Sequence, residues 1–100
     1  MVKHVILWQL KDEFSEAEKA AVKAGIKEGL EGLVGVVPGL LELRVNTDPL
    51  ETSNADLMLD STLESFDALR GYAVHPAHVA VADGKVRPNV KVRLCMDCEV

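Results

Sequence analysis

The chain has 100 residues, 48% of them hydrophobic but only 4% aromatic, with 27% charged and a formal net charge of −5. It reads as one domain, residues 1–100, whose own core is modest, because a chain of this size buries only roughly 60–70% of its unfolded surface. Acidity and scarce aromatics exclude a phosphate-binding or base-stacking surface, so no nucleic-acid partner is expected. No apolar run approaches the ~20 residues of a membrane span. Met1 to Trp8 is interrupted too soon, by Gln9 and Lys11, for a secretory leader, so a cytoplasmic protein without membrane partners is expected.

Lys3 to Leu10 alternates as a strand, with His4, Ile6, Trp8 and Leu10 on one face and Val5, Leu7 and Gln9 on the other. Both faces are largely apolar, which predicts cover on both sides. Ser15-Glu16-Ala17-Glu18 is a capping box and opens a helix carrying Val22, Ile26, Leu30, Leu33 and Val34 at spacings of three and four. Lys19, Lys23 and Lys27 form a neighbouring row that reads as a solvated face. Gly25, Gly29 and Gly32 each weaken a helix by up to ~1 kcal/mol, which suggests a close packing surface. Gly35 or Pro38-Gly39 ends the helix.

Leu40 to Asn46 is a second strand, with Leu41, Leu43 and Val45 opposed to Glu42, Arg44 and Asn46. After a loop through Thr47-Asp48-Pro49 to Asn54, Ala55 to Asp60 is a third strand. Ser61-Thr62-Leu63-Glu64 then reads as a second capping box, opening a helix with Phe66, Leu69, Tyr72 and Ala73 on one side. Pro76 disfavours helix at His75 and suits the start of a new one, which predicts a break at His75 and a short helix from Pro76 to Asp83 stopped by Gly84. Asn89 to Glu99 alternates as a last strand, with Val90, Val92, Leu94, Met96 and Cys98 against Lys91, Arg93, Cys95, Asp97 and Glu99.

The order is βαββαβ, the α+β ferredoxin-like pattern of a four-stranded antiparallel sheet with helices on one face. Val5 and Leu7 then point out of the helix-free face and call for a partner. A symmetric homodimer with two sheets packed face to face, a dimeric α/β barrel, is the economical solution.

The histidines are the strongest candidate site residues. His78 is the third residue of the short helix, where a helix N-terminus disfavours imidazolium and leaves a neutral base. Tyr72, near the end of the preceding helix, can supply a phenolic donor, and the two together suit proton abstraction beside a carbonyl with no metal or cofactor. Trp8, on the strand face of His4 and Ile6, can floor a pocket, and its bulk would shrink one. The structural alternatives are a capping histidine at 78, a helix-docking Tyr72, a polar strand end at His4, core filling by Trp8 and a helix cap at His75.

Cys95-Met96-Asp97-Cys98 matches C-x-x-C, yet it lies on a strand, where positions three apart face opposite ways, and no two further ligands stand at zinc spacing. Two ordinary buried or half-buried thiols are expected, and no metal site. The acidic stretch Glu51, Asp56, Asp60, Glu64 and Asp67 and the basic stretch Lys85, Arg87, Lys91 and Arg93 read as solvated faces rather than as matched dimer edges. Gly35 to Gly39 lacks the Lys-Ser/Thr of a phosphate loop.

Lys3 to Glu13 resembles the opening of the stress-responsive A/B barrel (Dabb) domain family. So do Leu30-Glu31-Gly32-Leu33, Val37-Pro38-Gly39-Leu40, Ala55-Asp56-Leu57, Phe66-Asp67-Ala68-Leu69 and, most specifically, Tyr72-Ala73-Val74-His75-Pro76-Ala77-His78-Val79. Asp97-Cys98-Glu99-Val100 is similar to the family's Asp-aromatic-acidic ending, with Cys98 in the aromatic place. The resemblance covers essentially the whole chain and implies a dimeric α+β barrel. It assigns no single reaction: most members have none, one plant branch resembles cofactor-independent polyketide cyclases, and the wider fold includes cofactor-independent monooxygenases. In the cyclase-like branch the positions matching Tyr72 and His78 carry the chemistry, with that of His4 nearby. The expectation is a homodimer with an unassigned role that binds a small apolar or carbonyl-containing ligand between sheet and helices, where His4, Ile6, Trp8 and His75 are candidate contacts. The alternatives are a cofactor-independent enzyme using His78 and Tyr72, and a structural, stress-related assembly protein.

Overall fold

The computed structural model describes residues 1–100. Strand β1 covers Val2–Leu10, helix α1 Glu16–Glu31, β2 Leu40–Asn46, β3 Leu57–Leu63, α2 Phe66–Val74, α3 Pro76–Val81 and β4 Val90–Glu99. A wide π-type turn over Ala82–Val86 and one 3₁₀ turn over Arg87–Asn89 join α3 to β4. The four strands form one antiparallel sheet in the order β2-β3-β1-β4, so the two ends of the chain contribute its neighbouring strands β1 and β4. This is the ferredoxin-like α+β fold, and no helix is long and apolar enough to cross a membrane.

Alternation along β1 becomes a division of faces. Val2, His4, Ile6, Trp8 and Leu10 are buried under the helices, while Lys3, Val5, Leu7 and Gln9 are half-buried on the other face. The Ser15–Glu18 capping box forms in both directions and starts α1. Helix α1 turns Ile26 and Leu30 into a core shared with Ile6, Leu59 and Leu69. It ends at Glu31, earlier than the glycine and proline signals suggest, with Gly32 as its cap, and this leaves Val34 exposed.

Gly25, Gly29 and the capping Gly32 do not share one packing surface. A Cβ on Gly29 would lie 2.9 Å from Val81 Cγ1, whereas one on Gly25 would meet nothing. Nor is the lysine row simply solvated. Lys23 Nζ donates to the Thr47 carbonyl, Lys27 Nζ donates to the Val45 carbonyl at 2.8 Å and to Glu31, and the Glu31 carboxylate accepts from Val45 N–H at 2.9 Å. Strand β2 is an edge of the sheet, and Lys27 and Glu31 satisfy the outward backbone groups of its Val45. Burial alone would raise the Glu31 carboxyl, but Lys27 and the Val45 N–H outweigh it and hold the group below its ordinary value.

In β2 the register shifts between Leu40 and Glu42, so Leu40, Leu43 and Val45 are buried while Leu41 is exposed. The third strand runs later than the sequence suggests. Ser61, Thr62 and Leu63, read above as a helix cap, are strand residues paired with both β1 and β2. Ser61 is fully buried and its hydroxyl donates to the His4 carbonyl at 2.8 Å, so sheet pairing overrides the local capping signal. The cap is Ser65, whose hydroxyl accepts from Ala68 N–H, and Phe66 is exposed rather than packed. Gly84 does not stop α3, which ends at Val81 and widens into the π-type turn that contains Gly84. The acidic and basic stretches do not pair with each other: Asp60 takes Lys3, Arg87 takes Asp83, and Lys91 takes Asp12.

Candidate functional site

A cavity of about 120 Å³ lies between the sheet and the helical layer. Strand β1 contributes His4, Ile6 and Trp8 to its wall, α2 contributes Tyr72, and α3 contributes His78. Most of the lining is apolar, and the volume approaches that of the engineered cavity of roughly 150 Å³ that admits benzene. Trp8 forms part of the wall and leaves the space open.

The break at Pro76 places the histidine. His75 is extended and caps α3, its Nδ1 accepting from Ala77 N–H at 3.1 Å, and it lies outside the cavity. One turn on, His78 folds back over the end of α2 so that its Nδ1 lies 3.2 Å from the Ala73 carbonyl. A carbonyl only accepts, so Nδ1 carries the proton and Nε2 keeps its lone pair. Burial lowers the His78 pKa below 6.5 against the opposing pull of that carbonyl, with His4, Arg87 and Arg93 lowering it further. The residue is therefore a neutral base at neutral pH.

Tyr72 stands between the two imidazoles. Its ring centroid is 4.2 Å from that of His78, with planes inclined by 33°, and 5.9 Å from that of His4 in an edge-to-face arrangement. Burial pushes its phenol up to about 12, so it remains a neutral donor. The Tyr72 hydroxyl and the Trp8 Nε1–H are both buried and find no hydrogen-bond partner within the chain. Two unsatisfied donors on residues that line one small cavity are uncommon, since each costs roughly 1–3 kcal/mol unless an acceptor reaches it.

Two residues missed in the sequence complete this end of the sheet. The β1–β4 register sets His4 opposite Asp97 and Ile6 opposite Cys95. His4 Nδ1–H donates to the Asp97 carboxylate, and Cys95 Sγ lies 3.8 Å from the same nitrogen and 3.6 Å from Asp97 Oδ1. Desolvation of the sulfur and the Asp97 charge push the Cys95 thiol up. Cys95 and Cys98 are both exposed, contrary to expectation, and β4 is an edge strand of the sheet. They do face opposite ways, Cys98 lying across from Lys3. The signal is legible in part: alternation puts Arg93, Cys95 and Asp97 on one face of the strand, but does not say which way that face turns. In the register found here it joins the cavity side, while Val92, Leu94 and Met96 lie exposed on the helix-free face.

Comparison with known proteins follows the same lines. The model of the family described as Stress Responsive A/B Barrel Domain (Dabb) matches residues 2–100. Olivetolic acid cyclase from Cannabis sativa is 28% identical over 85 residues, which span 82% of this chain and 80% of that protein. A dimeric protein of unknown function with a ferredoxin-like fold from Bacteroides fragilis superposes with a TM-score of 0.92 at 28% identity, over 99% of this chain and 95% of its own. A dimeric ferredoxin-like protein of unknown function from Thermobifida fusca shares the fold, with a TM-score of 0.79 at 22% identity, over 99% of this chain and 90% of its own. With the family model matched from the first strand to the last residue, this chain belongs to the stress-responsive A/B barrel domain family.

Proposed function

We propose that the chain is a homodimeric acid–base catalyst of proton transfer on a small, mostly apolar carbonyl compound bound between sheet and helices. The observation that carries this reading is that Tyr72, Trp8 and His78 line one cavity, with the Tyr72 hydroxyl and the Trp8 Nε1–H buried and unpartnered within the chain. A ligand carbonyl satisfies such donors, and as negative charge develops on its oxygen the hydrogen bond from Tyr72 strengthens. His78, neutral and with Nε2 as its lone-pair nitrogen, accepts the proton from the carbon beside the carbonyl. The 28% identity to olivetolic acid cyclase supports carbonyl chemistry of this class. The cavity limits the ligand to about the size of one ring in this conformation.

The dimer rests on the helix-free face. Val5, Leu7 and Met58 lie beside Leu94 and Met96, the last two 65% and 69% exposed in a single chain, and a second copy packed sheet to sheet covers them. The dimeric Bacteroides fragilis protein, at 28% identity, supports this assembly.

The test is hydrogen–deuterium exchange at the α-carbon of a panel of small aromatic and β-keto compounds, followed by NMR. Wild-type protein is expected to accelerate exchange for part of the panel, with a loss of roughly 10²–10⁴-fold in His78→Ala. No acceleration over buffer, together with no thermal shift by any compound, would overturn the reading and leave an assembly role in its place.

A further inference from the structure

Where β4 pairs with β1 at the cavity residue His4, three residues offer one metal-ligating atom each within 4.8 Å of one another: His4 Nδ1, Cys95 Sγ and an Asp97 carboxylate oxygen. We propose that His4, Cys95 and Asp97 form a zinc-binding site on the helix side of strands β1 and β4, with its fourth coordination position left to water or to a ligand atom. The inference does not depend on proton transfer by His78.

Geometry supports the assignment. Tetrahedral zinc with a Zn–S bond of about 2.3 Å and Zn–N and Zn–O bonds of about 2.0–2.2 Å sets its ligand atoms roughly 3.4–3.6 Å apart. The sulfur lies 3.8 Å from the His4 nitrogen and 3.6 Å from the Asp97 oxygen, within a few tenths of those separations. The third separation, between His4 and Asp97, is shorter because the two are hydrogen-bonded. Loss of that proton and rotation of the Asp97 side chain, which is 36% exposed, would open it to the same value.

The backbone fixes the ligand positions in advance. Cys95 and Asp97 are two apart on one face of β4, and His4 stands directly across from Asp97 on the adjacent strand. His4 is also the anchored member: its side chain is 8% exposed, and its carbonyl accepts from the buried Ser61 hydroxyl. Thiolate, imidazole and carboxylate together suit zinc better than magnesium or calcium, which prefer oxygen alone. A thiolate and a carboxylate also neutralise the dication, so the site adds no net charge. Because the three side chains face the helices, the sheet-to-sheet contact of the dimer leaves them uncovered. Cys98, pointing the other way, takes no part.

Titration of the full-length, reduced chain with cobalt(II), followed by displacement with zinc(II), tests the site. The expected result is one cobalt per chain, with the visible absorption of a tetrahedral ion and a near-ultraviolet thiolate-to-metal charge-transfer band. Cys95→Ser should abolish that band and weaken zinc binding by more than ~10²-fold, beyond the 10–100-fold typical of outer-shell changes. Asp97→Asn should weaken it, and Cys98→Ser should leave both spectrum and affinity as in wild type. Both cysteines are exposed, and circular dichroism of the metal-free variants confirms that the fold is retained. A tetrahedral spectrum without the charge-transfer band, a band that survives Cys95→Ser, or loss of the band in Cys98→Ser would each overturn the proposal. So would failure to bind at micromolar metal.

Discussion

The imidazole of His78 lies against the phenol of Tyr72, ring centroids 4.2 Å apart, although the two residues sit on different helices separated by the break at His75–Pro76. The contact couples a neutral base to a neutral donor on one wall of the cavity. It also makes Tyr72 the residue whose hydroxyl can be removed most cleanly. Tyr72→Phe keeps the ring and its packing and discards an oxygen that has no partner in the chain. Its stability in urea should stay within about 1 kcal/mol of wild type or rise, while any carbonyl compound that shifts the wild-type melting temperature should lose most of its effect. A large loss of stability would show that the hydroxyl is paired in solution.

His78 should make both activity and stability acid-sensitive. Its folded pKa lies below the unfolded value of 6.5, so the unfolded chain takes up a proton first as pH falls. The contribution to stability is complete above about pH 6.5 and drains away as pH drops from there through the lowered folded value. Chemical denaturation from pH 8 to pH 5 should show that decline, and His78→Gln should flatten it. Proton-transfer rate should hold level down to a pH below 6.5 before falling. A rate that already falls above that value would argue against His78 as the base.

Glu31 contributes in a lower window. Its folded pKa is held below 4.5 in spite of burial, by Lys27 and the Val45 N–H, so its contribution is present above about pH 4.5 and lost as pH falls from there through the folded value. Glu31→Gln should be less stable than wild type at pH 7, with the difference narrowing below pH 4. Amide hydrogen exchange at Val45 should accelerate in the variant, since its N–H donates to that carboxylate.

Glycine substitutions in α1 should separate by position. Gly25→Ala meets open space and should gain about 0.5–1 kcal/mol from helix propensity. Gly29→Ala sets a methyl 2.9 Å from Val81 Cγ1 and should lose about 1–3 kcal/mol through overpacking. Equal effects in thermal unfolding would mean that α3 yields freely at Val81.

The exposed sheet face should govern assembly. Light scattering coupled to size exclusion should give a mass near twice 10.9 kDa for wild type. Leu94→Lys, which places a charge among apolar neighbours, should shift the protein to monomer at micromolar concentration. A monomeric wild type, or a dimer that survives Leu94→Lys, would move the interface elsewhere.

Much of the fold was written in local patterns. Alternation in Lys3 to Leu10, the Ser15–Glu18 box and the Pro76 break depend on neighbours a few residues apart, and each appears in the structure where the sequence puts it. Local patterns also misled where long-range pairing competed with them. Ser61 to Glu64 has the composition of a helix start, yet two flanking strands supply the backbone partners of Ser61 to Leu63, and burial of those residues outweighs a cap. Alternation puts His4, Ile6 and Trp8 on one face, and the family resemblance implies a pocket with Tyr72 and His78, but neither sets the cavity's volume, which depends on how Trp8 packs.

The order of elements, the two faces of the first strand and the histidine at the third position of a proline-started helix are all legible in the chain without its fold. All of these follow from periods of two and 3.6 residues and from the fixed geometry of proline. Which face of β4 joins the cavity is a matter of long-range pairing, because alternation shows that two faces differ but not which one turns toward the helices. Antiparallel register with β1 resolved that choice and brought Asp97 and Cys95 to His4 across more than ninety residues of chain. The high aliphatic content seen at the outset has the same explanation: part of it covers the core, and part lies on the open face of the sheet at Leu94 and Met96.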